Sequence, residues 1–298
     1  MPSTVDHAVI NVLDRMDDAV ARFAALGFTI TARGYHSLGS INHLMMFEHD
    51  YLELVGIERG ATRIRREVAD SPLGLNGLVF KTDDARRLHD ELLASGVPAL
   101  DAVDFDRPVQ FENRTERAAF TTIRIDPGWI AGGRIYFCEH KTPHLVWQPG
   151  WQTHANGSFA LAGFTIVVPD PAAEGRRYER LLGCASSSLD SDATALDLAG
   201  FRLTLCTAAR YRARYGEFGC ADSIADLPAQ GAPSAAKRIA YMGSLAIRTR
   251  SMASVRRCLD GSASHESGSG TAVRWRDDDA RITVAAGSAF DCAIDFVA

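Results

Sequence analysis

The feature that most constrains this chain is a repeat. An order of strand, helix and three strands occurs four times in 298 residues, and repetition on that scale dictates a modular fold. In the first copy "TVDHAVINV" (4–12) reads as a strand and "DRMDDAVARFAAL" (14–26) as a helix. Met16, Ala19, Val20, Phe23 and Leu26 fall at helical spacing, Asp14 is placed to cap the first turn, and Gly27 to end the last. "FTITARGYH", "NHLMMFE" and "YLELVGI" follow as three short β-rich runs, split by "SLGS" and "HD".

The second copy opens at "LNGLVFKT", turns helical at "DDARRLHDELLASG" with Ala85, Leu88 and Leu92 inward, and returns through "FTTIRI" and "RIYFCEH". The third opens at "LAGFTIVV". Its helix, "PDPAAEGRRYERLLG", has Asp170 as cap and Pro171 in the first turn, and "ATALDLAG" and "FRLTLCT" follow. The fourth comprises "GSLAIRT", "RSMASVRRCLDG", "TAVRWRD", "ARITVAA" and "FDCAIDFV". One such unit covers a single sheet face with its helix, so two must join to enclose a concave surface where a ligand sits. The expected fold is therefore α+β, with four tandem βαβββ modules forming two paired-module curved-sheet barrels. "QPGWQTHANGS" (148–158) breaks the periodic pattern and separates an N-terminal domain (1–150) from a C-terminal one (158–298). "DLPAQGAPSAAK" (226–237) and "SASHESGSG" (262–270) read as a linker and a loop.

A net charge of −5 with no run of like charges argues against nucleic acid and anionic membranes as partners. No apolar stretch approaches the roughly 20 residues of a membrane-spanning helix, and the N-terminus lacks a leader pattern. The expectation is a soluble, cytoplasmic protein. The six cysteines lie far apart, without a C-x-x-C pair, and read as reduced thiols. There is no G-x-S-x-G, Walker A or dinucleotide motif, and His265-Glu266 lacks the second histidine of a zincin because Ser269 stands there.

With these modules in view, "DHAVINVLDRMDDAVARFAALGF", "GYHSLGSINHLMMFEHDYLELVG" and "RIYFCEHKTPHLVWQPGWQTHANG" together resemble the vicinal oxygen chelate superfamily, specifically its glyoxalase-like branch. The resemblance covers residues 4–157 well and the second half mainly in module pattern. It implies a divalent metal in the cup, held by side chains from the first and last strands of the modules. Here those positions are His7 and, 46 residues on, Glu53 in "YLELVG". An imidazole and a carboxylate suit zinc, iron, manganese or nickel.

Aligning Gly27 with Gly96 sets Asn76 opposite His7; it is a poor ligand and is grouped with substrate contacts. A third ligand must come from "RIYFCEHK", where Glu139 and His140 point to opposite faces. If Ile135 and Phe137 face the covering helix, Tyr136, Cys138 and His140 face the cup, which selects His140 with Glu139 as the alternative. His36 is a candidate substrate contact or proton carrier, a turn-capping role being the other reading. Arg124 could pair with an anionic substrate group through its planar fork, or form a surface ion pair. Trp147 and Trp151 are read as packing between the halves, with walling of the pocket as the other reading. In the third and fourth copies the first-strand positions fall near Gly163 and Gly243, and "FRLTLCT" and "ARITVAA" carry no carboxylate or imidazole, so the C-terminal half reads as a scaffold without evident ligands.

The resemblance implies a metal-dependent lyase or isomerase acting on a small oxygenated metabolite, with a homodimer as an expected assembly. Two alternatives stand beside it. One is a metal-free binding or antibiotic-sequestering protein. The other is an extradiol-type dioxygenase using His7, His140 and Glu53, although such enzymes carry histidines on the first strands of two modules.

Overall fold

In a computed structural model of the chain, residues 3–220, 239–263, 273–278 and 280–298 are described. The linker expected at 226–237 lies outside them, as does His265 with most of the loop expected at 262–270.

The first module runs β1 (Val5–Leu13), α1 (Met16–Ala25), β2 (Gly34–Tyr35), β3 (Ile41–Met46) and β4 (Tyr51–Gly56). A single turn, α2 (Arg66–Ala69), leads to β5 (Gly74–Lys81), α3 (Ala85–Ala94), β6 (Val103–Phe111), β7 (Arg114–Arg124) and β8 (Arg134–His140). The second half repeats this with β9 (Ser158–Val167), α4 (Pro171–Leu182), β10 (Ser186–Asp190), β11 (Ala193–Leu198) and β12 (Phe201–Cys206). After α5 (Ala208–Tyr215) come β13 (Tyr241–Thr249), α6 (Met252–Ala263), β14 (Trp275–Asp277), β15 (Arg281–Val284) and β16 (Ala293–Val297). Two eight-stranded sheets result, in the orders β2-β3-β4-β1-β5-β8-β7-β6 and β10-β11-β12-β9-β13-β16-β15-β14. The edges of the first sheet approach one another, and Ser37 N donates to Asp106 O at 3.1 Å across the gap.

Alternation along the central strands sorts side chains to two faces. Ala8, Ile10, Leu52, Leu54, Leu78, Phe80, Ile135 and Phe137 are buried in a core that continues into the second half through Phe164, Leu205 and Phe296. Val9, Tyr51, Val79 and Cys138 belong to a separate cluster on the concave side of the first sheet.

Three local expectations change. Asp14 does not cap α1: Arg15 occupies that position without a side-chain bond, and the Asp14 carboxylate accepts from Arg59 Nε at 3.0 Å. Only Gly34–Tyr35 of "FTITARGYH" is strand. The last strand of the fourth module is β16, within "FDCAIDFV", and it brings a buried carboxylate, Asp295, that "ARITVAA" lacks.

Pairing between first strands contains one extra residue at each of four equivalent points: Asp6, Asn76, Ala162 and Gly243. Such bulges re-aim the side chains beside them. They also fix the module alignment. Asn76 is the counterpart of Asp6, so the counterpart of His7 is Gly77, and the next two modules place Gly163 and Ser244 there. Glu53, Tyr136, Thr204 and Asp295 are the matching last-strand residues, each paired with the residue three beyond its bulge. Only the first module combines an imidazole with a carboxylate.

The second concave face is filled by the chain itself. Tyr211 and Tyr215 of α5 are buried there with Val167, Cys206, Tyr241 and Ala293. Gly243 makes room, since a Cβ at that position would lie 2.6 Å from the Tyr211 ring. The Tyr215 hydroxyl lies 2.9 Å from both Ser244 Oγ and Asp295 Oδ2, and Arg214 Nη2 donates to Asp295 at 2.7 Å.

Candidate functional site

The open cup belongs to the first half, and its floor is set by the bulge at Asp6. Strict alternation would point Asp6 away from His7. With the extra residue, the Asp6 carboxylate turns alongside the imidazole, and His7 Nδ1 lies 2.7 Å from Asp6 Oδ2. The same oxygen lies 2.8 Å from His140 Nε2, at the end of β8. Asp6 is fully buried. Burial alone would push its carboxyl up, but the charge and hydrogen bond of His140, then those of His7, hold it well below the usual carboxylate range.

Orientation by Asp6 leaves His7 Nε2 facing the cup. It lies 3.6 Å from Glu53 Oε2 and 3.5 Å from the Tyr136 hydroxyl. The imidazole stacks on Tyr51, with ring centroids 4.3 Å apart. Glu53 Oε1 accepts from Asn42 Nδ2 at 2.7 Å. Burial raises the Glu53 carboxyl, but the charges of His7 and His36 and the Asn42 bond outweigh it, so the group ionises below its ordinary range. Burial keeps the Tyr51, Tyr136 and Cys138 groups protonated.

The sequence candidates divide. His7 and Glu53 meet, whereas His140 reaches the cup on the far side of Asp6. Among the described residues, the group of three donors lying within 4.8 Å of one another is Asp6, Cys138 and His140. His7, Glu53 and His140 do not form such a group, so as they stand these three side chains do not converge on one metal position. Glu139 points to the other face, where Oε2 accepts from Ala85 N at 3.0 Å at the start of α3.

His36 lines the cavity above His7 and Glu53, its Nδ1 lying 2.9 Å from Ser40 Oγ. Burial pushes its imidazole down to about 4, the charge of Glu53 opposing, so it is neutral at physiological pH. Asn76 and Arg124 line neither the cavity nor the groove outside it. Asn76 Oδ1 accepts from Arg134 Nε at 2.8 Å, and Arg124 pairs with Glu67 on α2. Trp147 packs on the concave cluster of the first half, against Tyr51 and 4.8 Å from the His140 ring, and Trp151 lines the groove outside the cavity.

Two adjoining spaces lie above these residues. An inner chamber of about 30 Å³ is bounded by His7, His36, Glu53, Tyr136, Phe105 and Phe120. An outer groove of about 280 Å³ runs past Tyr35, Pro108, Leu145 and Trp151. Leu44, Arg107 and Val146 border both. Sequence periodicity gave no sign of Asp6 or Arg107. Asp6 depends on a bulge, and Arg107 lies on β6, whose "VDFDRPVQF" does not alternate as a half-buried strand does.

Paired βαβββ modules around a concave cup with an imidazole and a carboxylate on its floor define the vicinal oxygen chelate class. The chain belongs to the family described as the glyoxalase-like domain, whose model matches residues 5–182. Among solved structures, it is similar to a hypothetical protein from Staphylococcus aureus, at 11% identity and a TM-score of 0.60 over 98% of both chains. A mutant of 4-hydroxymandelate synthase from Streptomyces coelicolor aligns with 99% of this chain and 92% of its own, at 14% identity and a TM-score of 0.55. A fusion of a xylose isomerase-like TIM barrel with 4-hydroxyphenylpyruvate dioxygenase shares the fold at 12% identity and a TM-score of 0.54, matched over 100% of this chain and 50% of that one. At these identities the likeness concerns fold alone. No match to a curated protein is found.

Proposed function

We propose that the protein is a divalent-metal-dependent lyase or isomerase that acts on a small oxygenated molecule in the N-terminal cup. The observation that carries this reading is the convergence of His7 Nε2 and Glu53 Oε2, 3.6 Å apart in a buried site. Nitrogen and oxygen donors at this separation suit a cation of the zinc, iron, manganese or nickel type once they close slightly. His7 and Glu53 are the anchors, and His140 would join them as a third donor only after its ring shifts toward them. Two buried atoms without a hydrogen-bond partner, Asp6 Oδ1 and His140 Nδ1, mark this floor as incompletely satisfied by the protein alone. A bound cation would supply a Lewis acid that stabilises negative charge on substrate oxygens.

The residues around it have separable tasks. Asp6 orients His7, a carboxylate–histidine arrangement that fixes the tautomer and ring. His36, neutral and facing the chamber, accepts the substrate proton and returns it elsewhere on the substrate. Tyr136 remains protonated and offers its O–H as a hydrogen-bond donor. Phe105, Phe120 and Val146 exclude water from the inner chamber.

Elemental analysis of untagged protein tests the reading. Near-stoichiometric metal in wild type, lost in His7→Ala and Glu53→Gln, is the expected result; His140→Ala reports separately on the third donor. A wild-type chain that takes up none of the four metals overturns the enzyme reading. A second reading, a metal-free binding cup, draws on Gly77 and Tyr136 in place of a second ligand pair, and that same null result would favour it.

A further inference from the structure

The inner chamber is too small for a whole substrate. Its 30 Å³ admits a water or two, or a cation with the reacting atoms, whereas ordinary ligand pockets span about 300–1,000 Å³. The outer groove has the missing volume and is largely apolar, with Tyr35, Leu44, Pro108, Val109, Leu145 and Trp151 on its walls. A ligand lying in this groove with its reacting end in the chamber would pass the shared border, where Arg107 stands.

Arg107 is unusual among the charged groups of the cup. It is only 8% exposed, and among the described residues no hydrogen bond or close ion pair holds its guanidinium, the charge of Glu53 acting on it only at longer range. The other charges are already matched: Glu53 by Asn42 and His7, and Arg65 by Glu67. A buried arginine without an acceptor is costly for the protein alone, and that cost is relieved when a ligand brings the acceptor. The planar fork of a guanidinium matches a carboxylate bidentately. Glu53 acts on Arg107 through charge alone, so the hydrogen-bonding fork of the guanidinium is left for one carboxylate.

We propose that Arg107 binds the carboxylate of an amphipathic monocarboxylic acid whose apolar body lies in the outer groove. The assignment deepens the proposed function by naming its substrate class, and it rests on the same cup being the binding site. Arg107, on β6, takes the part that the sequence suggested for Arg124, which is committed to Glu67.

The test uses the full chain after exhaustive chelation, so that its outcome does not depend on metal. Binding of 3-phenylpropanoate, its neutral amide and inorganic phosphate is measured by calorimetry for wild type, Arg107→Gln and Arg107→Lys. The expected result is at least tenfold tighter binding of the acid than of the amide in wild type. Arg107→Gln brings the acid down to the affinity of the amide, Arg107→Lys retains part of the preference, and unchanged circular dichroism and thermal midpoint show that both variants are folded. Equal affinity for acid and amide, no acid binding at millimolar concentration, or a preference surviving in Arg107→Gln overturns the assignment. Phosphate displacing the acid at equal or lower concentration overturns the choice of carboxylate. Metal loss in His7→Ala with intact acid binding separates the two proposals.

Discussion

At the scale of single residues, Asp6 decides the chemistry of the cup. One carboxylate oxygen serves two imidazoles, so the position of His7 follows from a residue that alternation assigns to the opposite face. Asp6→Asn is expected to weaken metal binding by ~10–100-fold, the usual effect of removing a carboxylate behind a metal-binding histidine, as read by competition with a chromogenic chelator. His36 gives a pH prediction. Its imidazole ionises at about 4 in the folded chain against an ordinary 6.5. Between those values the unfolded chain binds the proton more readily, so the stability this site contributes is complete above pH 6.5 and is lost as pH falls toward 4. Urea midpoints should fall over that window, and His36→Gln should flatten the fall. His7 and Glu53 were legible because their spacing equals one module. Asp6 and Arg107 were not, because a bulge and an unsatisfied charge exist only once strands pair.

Elements explain the difference between the two cups. The modules were legible because hydrophobic periodicity survives in each copy: Asp170 caps α4 as its sequence suggests, accepting from Ala173 N at 2.8 Å. Helix α5 was not, since "AARYRARY" has two aromatic residues among arginines and no apolar face that points to a core. Its burial depends on the glycine opposite. Gly243→Ala should destabilise the chain by about 1–3 kcal/mol through overpacking against Tyr211. Tyr215→Phe should cost about 1–3 kcal/mol by leaving Asp295 and Ser244 with fewer partners. Urea unfolding measures both, and neither variant should alter metal content, because the affected cup lies in the other sheet.

Across the whole molecule, the hairpin between β3 and β4 joins the halves: Asp50 Oδ1 accepts from Leu161 N of β9 at 2.9 Å. Burial pushes the Asp50 carboxyl up to about 7, the Leu161 bond and Lys81 opposing. The folded chain then holds this proton more tightly than the unfolded one, so stability declines as pH rises from about 4, the unfolded value, to about 7. Asp50→Asn keeps an acceptor for Leu161 and should remove that decline, a comparison that thermal melts at pH 5 and pH 8 resolve.

The filled second cup can also be viewed as an intramolecular competition. Helix α5 is a tethered occupant, and tethering confers an effective concentration that reaches the millimolar range for short flexible connections. A free molecule seeking the Ser244–Asp295 position must displace two tyrosines already held there. Among the described residues the chain thus carries two copies of one container, the first open to molecules from outside and the second taken by its own helix.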